Sequence, residues 1–182
     1  MKVAEVMTRS VKSCSPNDTL HAAAKIMWEN DCGCVPVIDR ASKLVGMLTD
    51  RDICMAAYTQ GATLHVLRVE SAMTPNVISC SPEDELEEAE KVMRQNKVRR
   101  LPVVEESGKL VGILSLSDIG RAATREQSIT DVEVAQTLAA ICQPRAHTDA
   151  HVAFGDEVGE MEFRPSPPPK RGHLRKPHDR VG

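Results

Sequence analysis

The chain has 182 residues, and 41% of them are apolar, which is enough to bury a core in one or two domains. Its 23 Lys and Arg against 26 Asp and Glu give a net charge of -3, a balance that excludes a protein coating nucleic acid over its whole surface. With 2% aromatic residues, the chain also lacks the rings on which single-strand binders stack successive bases. We therefore expect no nucleic-acid partner.

Signals for secretion and for membrane insertion are missing from the sequence pattern. The N-terminus lacks the continuous apolar stretch of a secretory signal, and no run approaches the roughly 18 apolar residues that span a bilayer. Six cysteines in such a chain predict free thiols in a reducing compartment rather than a disulfide scaffold. We expect a cytoplasmic protein without a membrane partner.

An internal duplication organises the chain. Val3 to Ala57 can be laid over Val69 to Ala123 at a constant shift of about 66 residues without a gap, and about 25 of the roughly 55 paired positions are identical. Two copies are too few for a solenoid, so we expect a pseudo-symmetric pair of small α/β units. Because a unit of about 60 residues has little core of its own, the copies should bury a shared face.

Each copy is predicted to run helix, strand, strand, helix. The first helix is expected to open at a capping serine followed by proline, in Ser15-Pro16-Asn17-Asp18 and in Ser81-Pro82-Glu83-Asp84. Two short runs rich in β-branched residues then predict a strand pair, and a second helix follows each pair. The predicted strands are Val35 to Ile38 with Leu44 to Leu48, and Leu101 to Val104 with Leu110 to Leu114; the second helices begin at Asp50 and Leu116.

Beyond Arg125 the repeat stops. Thr130-Asp131-Val132-Glu133 has the spacing of a capping box and predicts one extra helix that runs to about Cys142. After Pro144 the composition becomes rich in proline and then in basic residues, which is typical of a disordered tail. The predicted domains are 1–60 and 67–125, followed by the extra helix at 129–143 and the tail at 144–182.

The exit of each second strand carries a hydroxyl side chain and, three residues later, a carboxylate. These are Thr49 and Asp52 in the first copy and Ser115 and Asp118 in the second. The spacing is typical of a helix N-terminal cap. It also suits a nucleotide, because a helix N-terminus offers N–H groups to an anion while a carboxylate accepts hydrogen bonds from ribose hydroxyls. The pattern alone leaves both interpretations open, but its duplication favours two symmetric clefts.

No catalytic or metal constellation stands out. Cys32-Gly33-Cys34 places two thiols close together, but the spacing is wrong for a zinc knuckle and no second pair of ligands is visible. The six histidines form no pattern, and no nucleophile with a matched base is recognisable. We therefore expect neither a bound metal nor an enzyme.

Several short motifs resemble, in order and spacing, the CBS domain, named for cystathionine beta-synthase. The first copy carries Val6-Met7-Thr8, Pro36-Val37 and Gly46-x-x-Thr49-x-x-Asp52. The second copy carries Ala72-Met73-Thr74, Leu101-Pro102-Val103 and Gly112-x-x-Ser115-x-x-Asp118. The likeness covers about residues 1–125, and a tandem pair of this kind resembles a Bateman module.

The resemblance implies a non-catalytic sensor that binds AMP, ADP, ATP or another adenosyl compound such as S-adenosylmethionine between the two copies. The residues that would hold ribose are Asp52 and Asp118, and those that would approach phosphate or ribose are Thr49 and Ser115. The base or phosphate region would be lined by Thr8 with Val11 and by Thr74 with Val77. Backbone groups for adenine would come from Cys34 and Val35 and from Arg100 and Leu101.

Two arginines distinguish the copies. Arg51 follows the first strand exit, and Arg100 precedes the proline of the second copy. A guanidinium suits a phosphate because it donates two parallel hydrogen bonds, although an arginine on an exposed helix or loop is more often simply solvated.

The resemblance further implies a homodimer that signals to a separate protein target. An alternative from another class is an assembly module without a ligand. In that module the hydroxyl and carboxylate pairs serve only as caps, and the chain dimerises and presents its basic tail to a partner.

Overall fold

The computed structural model describes residues 1–125 and 131–143. Within this part of the chain the order of elements repeats once, as the duplication predicts, and the α/β class is confirmed. The extra C-terminal helix is present, whereas the predicted tail at 144–182 lies outside the described residues. The elements are α1 Val3–Val6, α2 Leu20–Glu29, β1 Cys34–Ile38, β2 Leu44–Thr49, α3 Asp50–Gln60, a 3-10 turn Val69–Ser71, α4 Leu86–Asn96, β3 Arg100–Val104, β4 Leu110–Ser115, α5 Leu116–Ala123 and α6 Asp131–Cys142.

The start of the first helix in each copy was wrongly predicted from the sequence. The Asp18 carboxylate accepts a hydrogen bond of 2.7 Å from the Ser15 N–H, which closes a tight turn instead of opening a helix. α2 begins only at Leu20, where the Thr19 hydroxyl caps it by accepting from the Ala22 N–H. The Asp18 N–H donates to the Ser15 carbonyl, and the Ser15 hydroxyl accepts from the Asn17 N–H, so the pair closes a turn and does not cap a helix.

Each strand pair forms a two-stranded antiparallel hairpin, and the two hairpins share one register. Cys34 at the start of β1 lies opposite Thr49 at the end of β2. Arg100 at the start of β3 lies opposite Ser115 at the end of β4. The hairpins thus place the first residue of one strand beside the hydroxyl residue that precedes the next helix.

The two copies exchange their leading segments, defined here as residues 1–8 and 67–74. The Thr8 N–H donates to the Ile113 carbonyl at 2.9 Å, so the first leading segment pairs with β4 of the second copy. The Thr74 N–H donates to the Met47 carbonyl at 2.8 Å, so the second leading segment pairs with β2 of the first copy. Each copy is therefore completed by a segment from the other.

Each copy has a core, and the exchange brings apolar residues of the other copy into it. Val3 and Met7 belong to the core of the second copy, while Leu67 and Val69 belong to the core of the first. All four side chains are buried. Because each small unit gains apolar residues from the segment that crosses to it, neither depends on its own residues alone for a core.

The crossing segments lie very close to the hairpins. A Cβ added to Gly46 would lie 2.6 Å from the Met73 sulfur, and one added to Gly112 would lie 2.6 Å from the Met7 sulfur. Real Cβ atoms do not approach that closely, so glycine is required at both positions for the methionines to pack where they do.

The extra helix α6 packs on α4 and α5, the two helices of the second copy. The Arg94 guanidinium on α4 donates to the Thr137 hydroxyl on α6 at 2.8 Å, and Thr137 is fully buried. α6 therefore covers the helical face of the second copy.

Candidate functional site

The junction between β2 and α3 is a reciprocal cap. The Thr49 hydroxyl accepts from the Asp52 N–H at 3.2 Å and donates to Asp52 Oδ2 at 2.7 Å. The same Oδ2 accepts from the Thr49 N–H at 2.9 Å. The capping interpretation of this motif is satisfied by these bonds, and Oδ1 of the carboxylate is not used by them.

The junction between β4 and α5 repeats this cap. The Ser115 hydroxyl accepts from the Asp118 N–H at 3.2 Å, and Asp118 Oδ2 accepts from the Ser115 N–H at 2.8 Å. Here the second carboxylate oxygen is used as well, because Oδ1 accepts from the Thr8 hydroxyl at 3.3 Å and from the guanidinium of Arg121. Asp118 is 5% exposed, whereas Asp52 is half-buried.

The exchange of leading segments decides which predicted residues meet. Thr8 belongs to the first copy but contacts the carboxylate of the second. Thr74 belongs to the second copy and pairs with Met47, two residues before Thr49 of the first. We call Thr49, Asp52 and Thr74 the copy-one junction, and Ser115, Asp118 and Thr8 the copy-two junction. Each junction draws residues from both copies.

Of the four residues predicted to present backbone groups to adenine, three are buried and one, Arg100, is exposed. The side chains of Val35 and Leu101 are fully buried in the cores, so only their backbone is available to a ligand. Cys34 is also buried, and burial raises the pKa of its thiol, with the Arg100 guanidinium opposing the rise. The Arg100 side chain is exposed and reaches from the second copy to within 4.0 Å of the place that a Cβ on Gly33 would occupy. Arg100 therefore lies beside the strand entry of the opposite copy.

Three predicted site residues form no hydrogen bond or ion pair with either junction in the part of the chain that the structure describes. Val11 and Val77 are half-buried in loops after the leading segments, and Arg51 is exposed on the first turn of α3. Within residues 1–125 and 131–143, no hydrogen bond or ion pair joins any of them to a junction residue. Their role in ligand binding stays a prediction.

Arg121 is the residue that sequence reasoning missed. It pairs with Asp118 across one turn of α5. An acidic and a basic residue three positions apart on a predicted helix lie on the same face, so this spacing could have indicated the ion pair. Arg121 also lines a cavity of about 260 Å³ together with Thr8, Asp118 and Arg125. The cavity shows that the copy-two junction opens toward α1 and α5.

A second cavity, of about 390 Å³, lies on the first copy between Trp28, Cys32 and Asp50. None of the predicted site residues lines it. In the described part of the chain, no three histidine, cysteine or acidic side chains come together as metal ligands. No helix among those residues is long and apolar enough to cross a membrane.

The fold and the junctions define a tandem pair of small α/β units that complete each other and place an oxygen-rich site at each strand-to-helix turn. The chain belongs to the CBS domain family, whose model matches residues 3–58 and 69–124. The family resemblance recognised in the sequence is thereby confirmed.

Known relatives agree with this assignment. The chain is 38% identical over 117 residues to the CBS domain-containing protein YhcV of Bacillus subtilis (strain 168), which covers 64% of this chain and 81% of the relative. The solved structure of CBSX2 in complex with AMP is similar with a TM-score of 0.61 and 30% identity, covering 68% of this chain and 96% of that one. CBSX2 comes from Arabidopsis thaliana.

A second solved structure holds different ligands. The CBS domain pair of protein MJ0100, in complex with 5-methylthioadenosine and S-adenosyl-L-methionine, is similar with a TM-score of 0.62 and 26% identity. The match covers 69% of this chain and 97% of that one. CBS pairs similar to this chain therefore bind adenosyl compounds of more than one kind.

Proposed function

We propose that this chain is a non-catalytic regulatory module of the Bateman type that binds an adenosyl ligand at the junctions between its two copies and so reports energy or metabolite status. AMP, ADP, ATP and S-adenosylmethionine are the candidate ligands. The proposal is carried by the copy-one junction. There Oδ2 of Asp52 forms the helix cap, Oδ1 takes no part in that cap, and the leading segment of the second copy, which contains Thr74, lies alongside β2.

The chemistry of the junction fits ribose. A carboxylate oxygen accepts hydrogen bonds, and a ribose diol has two hydroxyl donors to offer. Because Oδ2 of Asp52 is held by the cap, the orientation of the carboxylate is set before a ligand arrives. The solved complexes of similar CBS pairs with AMP and with S-adenosyl-L-methionine support this assignment.

The ligand would regulate because it touches both copies. Thr49 and Asp52 come from the first copy, and Thr74 comes from the second. A ligand that contacts both copies can shift the equilibrium between two relative arrangements of the copies. The size of the shift is set by the difference in its affinity for the two arrangements. The receiver of the signal is proposed to be a separate protein, and cytoplasmic location stays a prediction.

We also propose a homodimer formed through the helices of the first copy. Trp28 on α2 is 88% exposed, and Tyr58 on α3 is 74% exposed. The residue at the position of Trp28 in the second copy is Arg94, which holds α6 in place. One helical face is thus covered by α6, while the equivalent face of the first copy carries exposed aromatic side chains, which suit a partner surface.

Light scattering tests the dimer. We expect twice the monomer mass for the natural chain, and the monomer mass for Trp28→Arg, which copies the residue of the other repeat. Arg40→Ala, an exposed change in the turn between β1 and β2, serves as the control and should leave the dimer intact. A natural chain that is monomeric at working concentration contradicts the proposal.

One observation favours the second candidate function, an assembly module without a ligand. Both hydroxyl and carboxylate pairs form complete reciprocal caps, which accounts for their spacing without any bound molecule.

Calorimetric titration against AMP, ADP, ATP and S-adenosylmethionine separates the two candidates. A ligand at 100 times its dissociation constant stabilises the fold by about 2.7 kcal/mol, which raises the melting temperature by roughly 5 to 10 °C.

The variant Asp52→Asn sharpens this test. An asparagine oxygen can still accept the Thr49 bonds, so the cap survives while the charge is lost. We expect affinity to fall by about 1.5 to 3 kcal/mol, the value of a hydrogen bond to a charged group, with little change in melting temperature. Asp18→Asn removes a similar carboxylate from a turn and should leave affinity unchanged. The ligand-free module predicts no binding by any of the three proteins.

A further inference from the structure

The two junctions differ in how the oxygens of their carboxylates are used. In the copy-one junction, Oδ2 of Asp52 is held by the cap, and no described residue in 1–125 or 131–143 donates to Oδ1. In the copy-two junction, Oδ1 of Asp118 already accepts from the Thr8 hydroxyl and from the Arg121 guanidinium. Asp118 is also less exposed than Asp52.

The difference originates at one repeat-equivalent position. Arg121 lies three residues after Asp118, and the residue three after Asp52 is Met55. A methionine has no donor, so it leaves the carboxylate oxygen to other partners. An arginine one turn along the helix reaches the carboxylate as an ion pair, as it does here.

We propose that Arg121 makes the two junctions unequal by occupying the carboxylate of Asp118, so that an adenosyl ligand binds first, and most tightly, at Asp52. This inference rests on the proposed function and concerns which junction is filled. An oxygen of a carboxylate has two lone pairs, and both acceptor positions of Asp118 Oδ1 are taken by Thr8 and Arg121.

The Arg121 side chain weakens the copy-two junction without closing it permanently. The contact between Arg121 and Asp118 combines a charge-assisted hydrogen bond with an ion pair. A ribose hydroxyl carries no charge, so it would replace this contact with a hydrogen bond alone. The Arg121 side chain is nevertheless 60% exposed, so it can turn into solvent when a ligand is present in excess. The second site should therefore fill only at higher concentration.

Calorimetric titration with AMP, and in parallel with adenosine, tests the inference. The natural chain should bind one AMP per chain tightly and a second at least about tenfold more weakly, since a bond of this kind contributes about 1.5 to 3 kcal/mol. Arg121→Met, which copies Met55, should bring the two affinities within about threefold of each other. Met55→Arg should weaken the tight site at least about tenfold.

Two further variants identify the sites and provide the control. Arg121→Met combined with Asp52→Asn should retain one tight site, which must then be at Asp118. Arg40→Met removes an exposed arginine from the turn between β1 and β2, which lines neither cavity, and should leave both affinities as in the natural chain. Melting curves of each variant confirm that it is folded.

The outcomes separate this inference from the proposed function. Two equal sites in the natural chain overturn the inference and leave the proposed function standing. Weaker AMP binding by Arg121→Met, with adenosine binding unchanged, also overturns it, because Arg121 would then hold the phosphate. Absence of binding by AMP and by the whole adenosyl panel, in the natural chain and every variant, overturns both.

Discussion

The exchange of leading segments leads to a sharp prediction at Gly112. An alanine there would place its Cβ 2.6 Å from the sulfur of Met7 and 3.2 Å from the carbonyl oxygen of Thr8. Met7 is buried and cannot move into solvent freely, and the Thr8 carbonyl is held by the Ile113 N–H at 3.0 Å. The added methyl group must therefore move the Met7 side chain and push the Thr8 backbone away from β4 by a few tenths of an ångström.

The magnitude follows from two opposing effects. Overpacking in a well-packed core costs about 1 to 3 kcal/mol, while replacing glycine by alanine lowers the entropy of the unfolded chain and contributes about 0.4 to 1 kcal/mol of stability. The difference between these effects gives an expected net loss of up to about 2.6 kcal/mol for Gly112→Ala. For a chain of this size that corresponds to a fall in melting temperature of up to roughly 10 °C.

Differential scanning calorimetry on three variants checks the reasoning. Gly120→Ala is the matched control, because a Cβ at this helical position meets no heavy atom within 4 Å, and it should raise stability. The double variant Gly112→Ala with Met7→Ala should cost less than the sum of the single changes, since the alanine removes the obstructing sulfur. If Gly112→Ala is as stabilising as Gly120→Ala, the first leading segment does not lie against β4 as described.

Two further outcomes are expected. Burial raises the pKa of the Cys14 thiol to about 12, so very little of it is thiolate near neutral pH. Iodoacetamide at about pH 8 should therefore modify the exposed Cys54, while Cys14 stays unmodified until urea unfolds the protein. Equal modification rates of the two thiols in the native protein would contradict this. Thr137→Val removes the acceptor for Arg94 and should cost about 1 kcal/mol and expose α6 to limited proteolysis. Thr59→Val, which removes a solvent-exposed hydroxyl, is its control, and identical digestion of the two variants would show that this bond does not hold α6.

The sequence was sufficient for the repeat, the hairpins and the caps because these features depend on residues close together in the chain. Thr49 and Asp52 are three residues apart, and their reciprocal bonds follow from that spacing. The short runs rich in β-branched residues likewise located the strands. Even so, Ser15 and Asp18 have the same spacing and form a turn, because the Asp18 N–H donates to the Ser15 carbonyl, whereas the Asp52 N–H donates to the Thr49 hydroxyl.

The pairing of the copies was decided only by the tertiary structure. Thr8 and Asp118 are 110 residues apart, and no periodic pattern states that the first leading segment crosses to the second hairpin. The crossing depends on two glycines that leave room for methionine sulfurs, a steric requirement that exists only once the segments meet. The sequence could therefore name the hydroxyl and carboxylate residues, but only packing determined that each junction combines both copies and that Arg121 occupies one of them.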